Sequence, residues 1–333
     1  MKGEGIIGAA DTVTKAYIRK NEVFADAFNY FMYDGRQKIQ PEQLRELDST
    51  EIAILLNEKD TKDKTNKEKE ASEQKMVQKY RDLLKTATIM QDGEATYVLL
   101  GIENQTEVHY AMPVRNLLYD AMQYNQQVTE IAEKHKGKKG GKRQQKISTG
   151  EFLSGFYKNN KLIPVITLVL FFNPGEWDGP RSLFDMLDIS NPIFKKYAQD
   201  YKIHIISPKE ILESDLKKFS SSLREVIGCI KYSNDKNKLA AFIQDNPRMN
   251  IEVEAARVLE VITHTHIKRE EVDDMGNVNM CKAIQEMIQD GRDEGRVQLL
   301  VTLIQSGDIS LQRAAALMNM TPEEFQEKSK MIS

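Results

Sequence analysis

The spacing of apolar residues divides the chain into a mixed helix and strand part followed by a helical part. Residues 14–33 carry apolar side chains at helical spacing and predict an amphipathic helix, with Phe24, Phe28 and Phe31 in the core. Residues 162–172 are apolar on both faces, which is typical of a central strand covered by helices.

A shorter, partly polar strand is predicted over residues 202–206, and from residue 209 onward the apolar spacing is helical. The predicted helices span residues 211–230, 237–244, 249–263 and 280–304. Gly291 and Gly295 fall inside the last of these helices and are expected to interrupt it, because glycine weakens a helix interior. That segment could therefore serve as a mobile lever or as an oligomerising arm.

Residues 308–327 predict a helix, a short turn and a second helix. Thr321 supplies a cap for the second helix, and Pro322 fits its first position. The arrangement is similar to the front of a helix-turn-helix. The three glutamates of the second helix, however, are unfavourable for reading DNA. We expect a small helical packing or dimerisation module.

A β-hairpin is predicted around a tight turn at residues 91–94, which leads into the apolar run 97–102. If the strands pair around that turn, Asp82 and Glu103 lie nearly opposite each other, about 5 Å apart at Cβ. Strand alternation then places Gln105 on the same face as Glu103.

Two carboxylates in this position could share a divalent cation. Mg²⁺ prefers oxygen ligands and keeps several waters, and it can activate a water for phosphodiester hydrolysis. Gln105 could orient the water or the phosphate. Asp48, Asp92 and Glu94 are neighbouring carboxylates, although the last two fit turn positions better. In the alternative interpretation, Asp82 is a surface residue and Glu103 forms an ordinary ion pair.

A helix is predicted after Glu103, with Pro113 in its first turn. Its apolar stripe consists of Val114, Leu117, Leu118, Ala121 and Met122. Arg115, one turn into this helix, could hold a phosphate oxygen. An ion pair between Arg115 and Glu103 or Asp120 is the alternative.

Several short motifs resemble one nuclease family. They are Gly101-Ile102-Glu103-Asn104-Gln105, Met112-Pro113-Val114-Arg115, Tyr119-Asp120, Tyr124, and an opening over residues 24–42. Together they resemble the recombination-promoting nuclease (Rpn) family, which also carries the label transposase. Asp82 followed by Glu103 and Gln105 is similar to the D…ExK signature of the wider PD-(D/E)XK superfamily, with Gln where many members have Lys.

The resemblance implies a metal-dependent DNA endonuclease, associated with recombination or mobile elements. It implies a restriction-endonuclease-like α/β core with a mixed central β-sheet flanked by helices, and the helical spacing from residue 209 onward adds an α-helical C-terminal region. Asp82 and Glu103 would bind Mg²⁺ or Mn²⁺, and Gln105 would assist the attacking water. A neutral amide lacks the positive charge of lysine, however. Arg115 and Tyr119 are candidate substrate contacts, and Asp26 is an additional candidate acid.

The expected organisation has three parts. They are an N-terminal tail 1–13, a nuclease-like domain 14–208 that contains a charged helix or linker 58–79 and a basic loop 134–146, and the helical region 209–333.

A net charge of −3 gives no overall basic signature, so DNA binding would depend on local patches. The basic loop has no acidic residue. Its candidate phosphate contacts are Lys138, Lys139, Lys142 and Arg143. A solvated loop without a partner is the alternative.

Cys229 and Cys281, the two cysteines, lie far apart in the sequence, which favours reduced thiols in the cytoplasm. Neither a signal-peptide pattern nor an apolar run long enough for a bilayer is present, so no membrane partner is expected. His264 and His266 have poor spacing for a shared metal. The competing functions are a catalytically inactive nuclease-fold DNA-binding protein and a protein-interaction scaffold, with a homo-oligomer formed through the C-terminal helices as an open possibility.

Overall fold

One mixed β-sheet organises the first two thirds of the protein. The computed structural model describes residues 3–47, 82–91, 94–136, 147–244, 246–263 and 272–332. The sheet consists of β1 (Leu44–Glu46), β2 (Leu83–Gln91), β3 (Glu94–Gln105), β4 (Val165–Phe171) and β5 (His204–Ile206), in that spatial order. The pairs β1–β2 and β2–β3 are antiparallel, whereas β3–β4 and β4–β5 are parallel.

Helices flank this sheet and continue to the C-terminal end. They are α1 (Gly3–Ile18), α2 (Asn21–Tyr33), α3 (Met112–Lys136), α4 (Thr149–Ser154), α5 (Leu223–Tyr232), α6 (Lys236–Ile243), α7 (Val253–Thr263), α8 (Met280–Gln305), α9 (Leu311–Leu317) and α10 (Pro322–Ile332). A second, two-stranded sheet pairs β6 (Asn250–Glu252) with β7 (Asn277–Asn279). The α/β class with a mixed central sheet and a helical C-terminal region is confirmed, and this small second sheet was not predicted.

The predicted hairpin is confirmed. Strands β2 and β3 pair from Leu83 opposite Ile102 to Gln91 opposite Glu94. Asp82 immediately precedes β2, and the same register continued by one residue places it opposite Glu103.

The predicted central strand is also confirmed as β4, which is hydrogen-bonded to neighbours on both sides. Leu168 and Leu170 pack into the large core with α1 and α2, while Val169 and Phe171 pack into a second cluster on the other face. The short strand β5 lies at the edge of the sheet, where His204 is exposed.

The predicted helix 14–33 is two helices, and residues 3–13, expected as a tail, belong to α1. The break falls at Arg19 and Lys20. There the buried ammonium of Lys85 donates to the carbonyl of Arg19 at 2.6 Å, which satisfies a carbonyl at the end of α1. Lys85 lies on β2, so a contact distant in sequence sets this break.

The main hydrophobic core is continuous across residue 208. It contains Tyr17, Phe24 and Phe28 from the first helices together with Val226 from α5 and Leu259 from α7. Helix α1 packs directly against α7. The N-terminal helices therefore share one core with the first C-terminal helices.

The predicted helix 211–230 is a 3₁₀ helix over Glu213–Lys218 followed by α5. Asp26 is completely buried on α2 and explains the break between them. Its carboxylate accepts hydrogen bonds from the backbone amides and the hydroxyls of Ser220 and Ser221.

The last three helices surround a separate small cluster. Its buried members are Val297, Leu300, Ala314, Ala315 and Phe325. The predicted helix, turn and second helix over 308–327 are confirmed as α9 and α10, with reciprocal hydrogen bonds between Thr321 and Glu324. Helix α8 runs through Gly291 and Gly295 without a break. Among the described helices, none is sufficiently long and apolar to traverse a bilayer.

We expect Asp26→Ala to lower the free energy of unfolding by about 3 kcal/mol, because four donors would lose a buried charged acceptor. Glu133→Ala, at an exposed position on α3, is the matched control and should change stability by less than about 0.5 kcal/mol. Urea denaturation of both variants measures the effect. If Asp26→Ala is as stable as the wild type, these hydrogen bonds do not maintain the break between the 3₁₀ helix and α5.

Candidate active site

The candidate site lies where β2 begins and β3 ends. Leu84 and Leu99 project from the same sheet face as Glu103 and pack in one cluster together with Tyr124 of α3. Glu103 and Gln105 therefore face α3 at the C-terminal end of β3. We call Asp82 and Glu103 the acid pair.

Glu103 is completely buried and forms an ion pair with Arg115, whose Nη2 lies 3.1 Å from Oε2. Arg115 also donates from Nε to the hydroxyl of Tyr119 at 3.2 Å. Burial lowers the pKa of Arg115, but the negative charges of Glu103 and Asp82 and the Tyr119 contact outweigh it, so the pKa is raised. The ion pair with Glu103, one of the predicted alternatives for Arg115, is therefore present.

Asp82 is held by contacts from two elements. Its side chain is 9% exposed, and Oδ2 accepts a hydrogen bond from the backbone amide of Asn104 at 2.9 Å. Its Oδ1 lies 2.9 Å from Nζ of Lys15 on α1, which also pairs with Asp11 at 2.7 Å. Burial lowers the pKa of Lys15, but the two carboxylates outweigh it and raise the pKa.

The two carboxylates share one electrostatic environment. Burial raises the pKa of Tyr119, and the negative charges of both Glu103 and Asp82 raise it further, against the opposing effect of Arg115. The acid pair is thus flanked by two cations, one carried by α1 and one by α3.

Helix α3 is rotated relative to the prediction. Its apolar residues Val114, Leu117 and Leu118 are 45%, 37% and 40% exposed, and Ala121 is exposed beside them. We call these four residues the outer stripe. The buried face of α3 instead contains Met112, Pro113, Asn116, Tyr119, Asp120 and Gln123.

Polar anchors explain this orientation. Asp120 accepts hydrogen bonds from the hydroxyls of Thr167 and Tyr201, both at 2.6 Å. Together with the pair between Arg115 and Glu103, these contacts hold the polar face of the helix against the sheet. Apolar spacing alone therefore predicted the wrong face.

The structure brings Asp82, Glu103, Arg115 and Tyr119 together at this end of the sheet, and Gln105 follows Glu103 on the same face of β3. Asp26 lies apart from them, and its hydrogen bonds go to Ser220 and Ser221. The following predicted or considered residues lie outside the described part of the chain: Lys138, Lys139, Lys142, Arg143, Asp48, Asp92, His264 and His266, as do residues 58–79.

Three residues around Asp82 and Arg115 were not predicted: Lys15, which contacts Asp82, His109, which is influenced by the charge of Arg115, and Asn116, which follows Arg115 in the chain. Burial, and then the charge of Arg115, lower the pKa of His109. The only sequence signal was for Asn116, which lies one turn before Asp120 on the same helix face. Lys15 reaches Asp82 only through tertiary packing, so no local pattern could have revealed it.

The donor set fits a hard divalent cation. Among the described residues, no group of three or more His, Cys, Asp or Glu side chains is arranged to hold a metal. Mg²⁺ nevertheless requires only one or two carboxylates with waters and neutral oxygens, and the acid pair with its neighbouring amides supplies that chemistry.

Comparison with known family models, curated proteins and solved structures finds no match for this chain. The functional inference therefore depends on the acid pair and its surroundings.

We expect Arg115→Met to destabilise the protein by about 2–4 kcal/mol, because it leaves the buried Glu103 carboxylate without its cation. The double variant Glu103→Gln with Arg115→Met should lose much less stability than the sum of the losses in the two single variants. Urea denaturation of all four proteins gives this coupling free energy. Additive losses would mean that the pair contributes nothing to folding.

Proposed function

We propose that this protein is a metal-dependent DNA endonuclease with a PD-(D/E)XK-type core of the Rpn kind, active in the cytoplasm. The observation that carries the proposal is the register of the hairpin, which sets Asp82 opposite Glu103 on strands that pair directly. The mixed sheet with its flanking helices supports the same class, as does the motif run from residue 101 to residue 124.

In this proposal, Asp82 and Glu103 hold Mg²⁺ or Mn²⁺. The bound ion lowers the pKa of a water and offsets charge on the phosphate. Gln105 orients the water or the phosphate through its amide. Lys15 carries a positive charge beside Asp82, which a glutamine at position 105 cannot supply.

Arg115 and Tyr119 are the proposed substrate contacts within the site. Arg115 is 28% exposed, so part of its guanidinium can meet a phosphate while the remainder contacts Glu103. Lys138, Lys139, Lys142 and Arg143 are the proposed contacts to the DNA backbone, because the overall charge of −3 does not favour DNA and binding requires a local basic patch.

We expect the protein to nick supercoiled plasmid with Mg²⁺ or Mn²⁺ and to lose this activity in EDTA. Glu103→Gln and Asp82→Asn should each reduce nicking at least about 100-fold, since each removes a charged metal ligand. Glu133→Gln makes the same chemical change at an exposed position and should leave the rate unchanged. All variants are compared at equal folded fraction, measured by circular dichroism.

The same assay tests Lys15. Lys15→Met should slow nicking and Lys15→Arg should restore part of the rate, because the charge is retained. If folded wild-type protein nicks no plasmid under any of these conditions, the endonuclease proposal is wrong.

The basic loop should contribute to DNA affinity in a salt-dependent way. Replacing Lys138, Lys139, Lys142 and Arg143 by Gln should weaken binding to all DNA sequences and reduce the slope of log K against log salt by about 3–4. Replacing four lysines of the charged segment, Lys62, Lys64, Lys67 and Lys69, removes the same charge and serves as the control. Fluorescence anisotropy at several salt concentrations measures DNA binding by both variants and by the wild type. If the loop variant has the same slope as the wild type, the basic loop does not contribute to DNA binding.

One observation favours a second candidate function. Each member of the acid pair already has an internal cation, Lys15 or Arg115. A protein that retained the nuclease fold but lost catalysis would also look like this, and it would bind DNA or a protein partner without metal. DNA binding that persists in EDTA, without nicking in any metal, would favour this candidate.

A further inference from the structure

Asn116 is a buried amide on the face of α3 that packs against the sheet. The residue has no exposed surface. Neither Nδ2 nor Oδ1 has a hydrogen-bond partner among the residues that the structure describes. Burying an amide without partners is costly, because it loses its hydrogen bonds to water. An apolar residue of the same size would avoid that cost, so the position calls for an explanation other than packing.

The neighbours of Asn116 on α3 fix its level along the sheet. One turn earlier, Met112 packs with Val169 and Phe171. One turn later, Asp120 accepts the hydroxyl of Thr167. Asn116 therefore lies at the level of Val169 on β4.

That level is also the level of Glu103, which is the register partner of Val169 on β3. Arg115, adjacent to Asn116 in the chain, contacts the Glu103 carboxylate directly. The unused amide and the buried carboxylate thus belong to the same end of the same sheet face.

A second asparagine provides a contrast within the site. The side chain of Asn104, also buried, donates to the hydroxyl of Thr14 and to Asp11. Its role in joining α1 to the sheet is evident from those contacts. Asn116 has no such structural role among the described residues.

We propose that Asn116 is a third protein ligand of the divalent-cation site, supplying Oδ1 to the ion directly or through one of its bound waters. Amide oxygens are ordinary ligands of Mg²⁺ and related hard cations. A neutral third ligand adds coordination without adding negative charge that would repel phosphate. The inference depends on the proposed function in one respect, namely that the acid pair binds a divalent cation.

The test measures Mn²⁺ binding to the full chain by isothermal titration calorimetry, without DNA, together with the Tm of the metal-free protein. Asn116→Leu should raise the metal-free Tm by a few degrees, because the unused amide is removed. It should also weaken Mn²⁺ binding at least about 10-fold. Asn116→Asp keeps an oxygen ligand and should bind Mn²⁺ at least as tightly as the wild type.

Gln123→Leu is the matched control. Gln123 is a second buried amide on α3, two turns beyond Asn116, and its Nε2 also has no partner in the described part of the chain. Gln123→Leu should leave Mn²⁺ affinity unchanged. A binding loss confined to position 116, with recovery in Asn116→Asp, supports the proposal even if Asn116→Leu has a lower Tm than expected.

The possible failures can be told apart. If the wild type binds Mn²⁺, Glu103→Gln abolishes binding and Asn116→Leu binds as tightly as the wild type, the role of Asn116 is overturned while the endonuclease proposal stands. If the wild type itself binds no Mn²⁺ and nicks no plasmid, the endonuclease proposal fails, and the role of Asn116 fails with it.

Discussion

A carboxylate that is completely buried needs a cation or several hydrogen-bond donors beside it, and at Glu103 this constraint governs the arrangement of the site. Arg115 meets it from α3, and in doing so it fixes which face of that helix is turned toward the sheet. The hydrogen bonds that Asp120 accepts from Thr167 and Tyr201 favour the same orientation of α3. Because these polar contacts turn the polar face of α3 toward the sheet, the outer stripe on the opposite side is exposed.

The features that the sequence predicted correctly are those governed by local pattern. The hairpin turn and the apolar run after it determine the pairing of β2 and β3, and the uniformly apolar segment determines β4. The capping pattern at Thr321 likewise predicts where α10 begins. In each case a short stretch of neighbouring residues carries the signal.

The features that were missed depend on partners far away in the chain. The break between α1 and α2 involves Lys85, and the break before α5 involves Asp26. Helix α3 was predicted with the wrong face inward because hydrophobic spacing does not register a buried ion pair. Of the candidate site, the acid pair, Gln105 and Arg115 were accessible from sequence. Lys15 was not, because only the packing of α1 against the sheet brings it to Asp82.

The cations that flank the acid pair determine the sign of the charge that an incoming phosphate would meet. Asp11, Asp82 and Glu103 contribute three negative charges and Lys15 and Arg115 two positive charges, so the local sum is −3 + 2 = −1. A divalent ion would change that sum to −1 + 2 = +1. If the proposed function is correct, this site would repel a phosphodiester before the ion arrives and attract it afterwards, so the ion would bind before the nucleic acid.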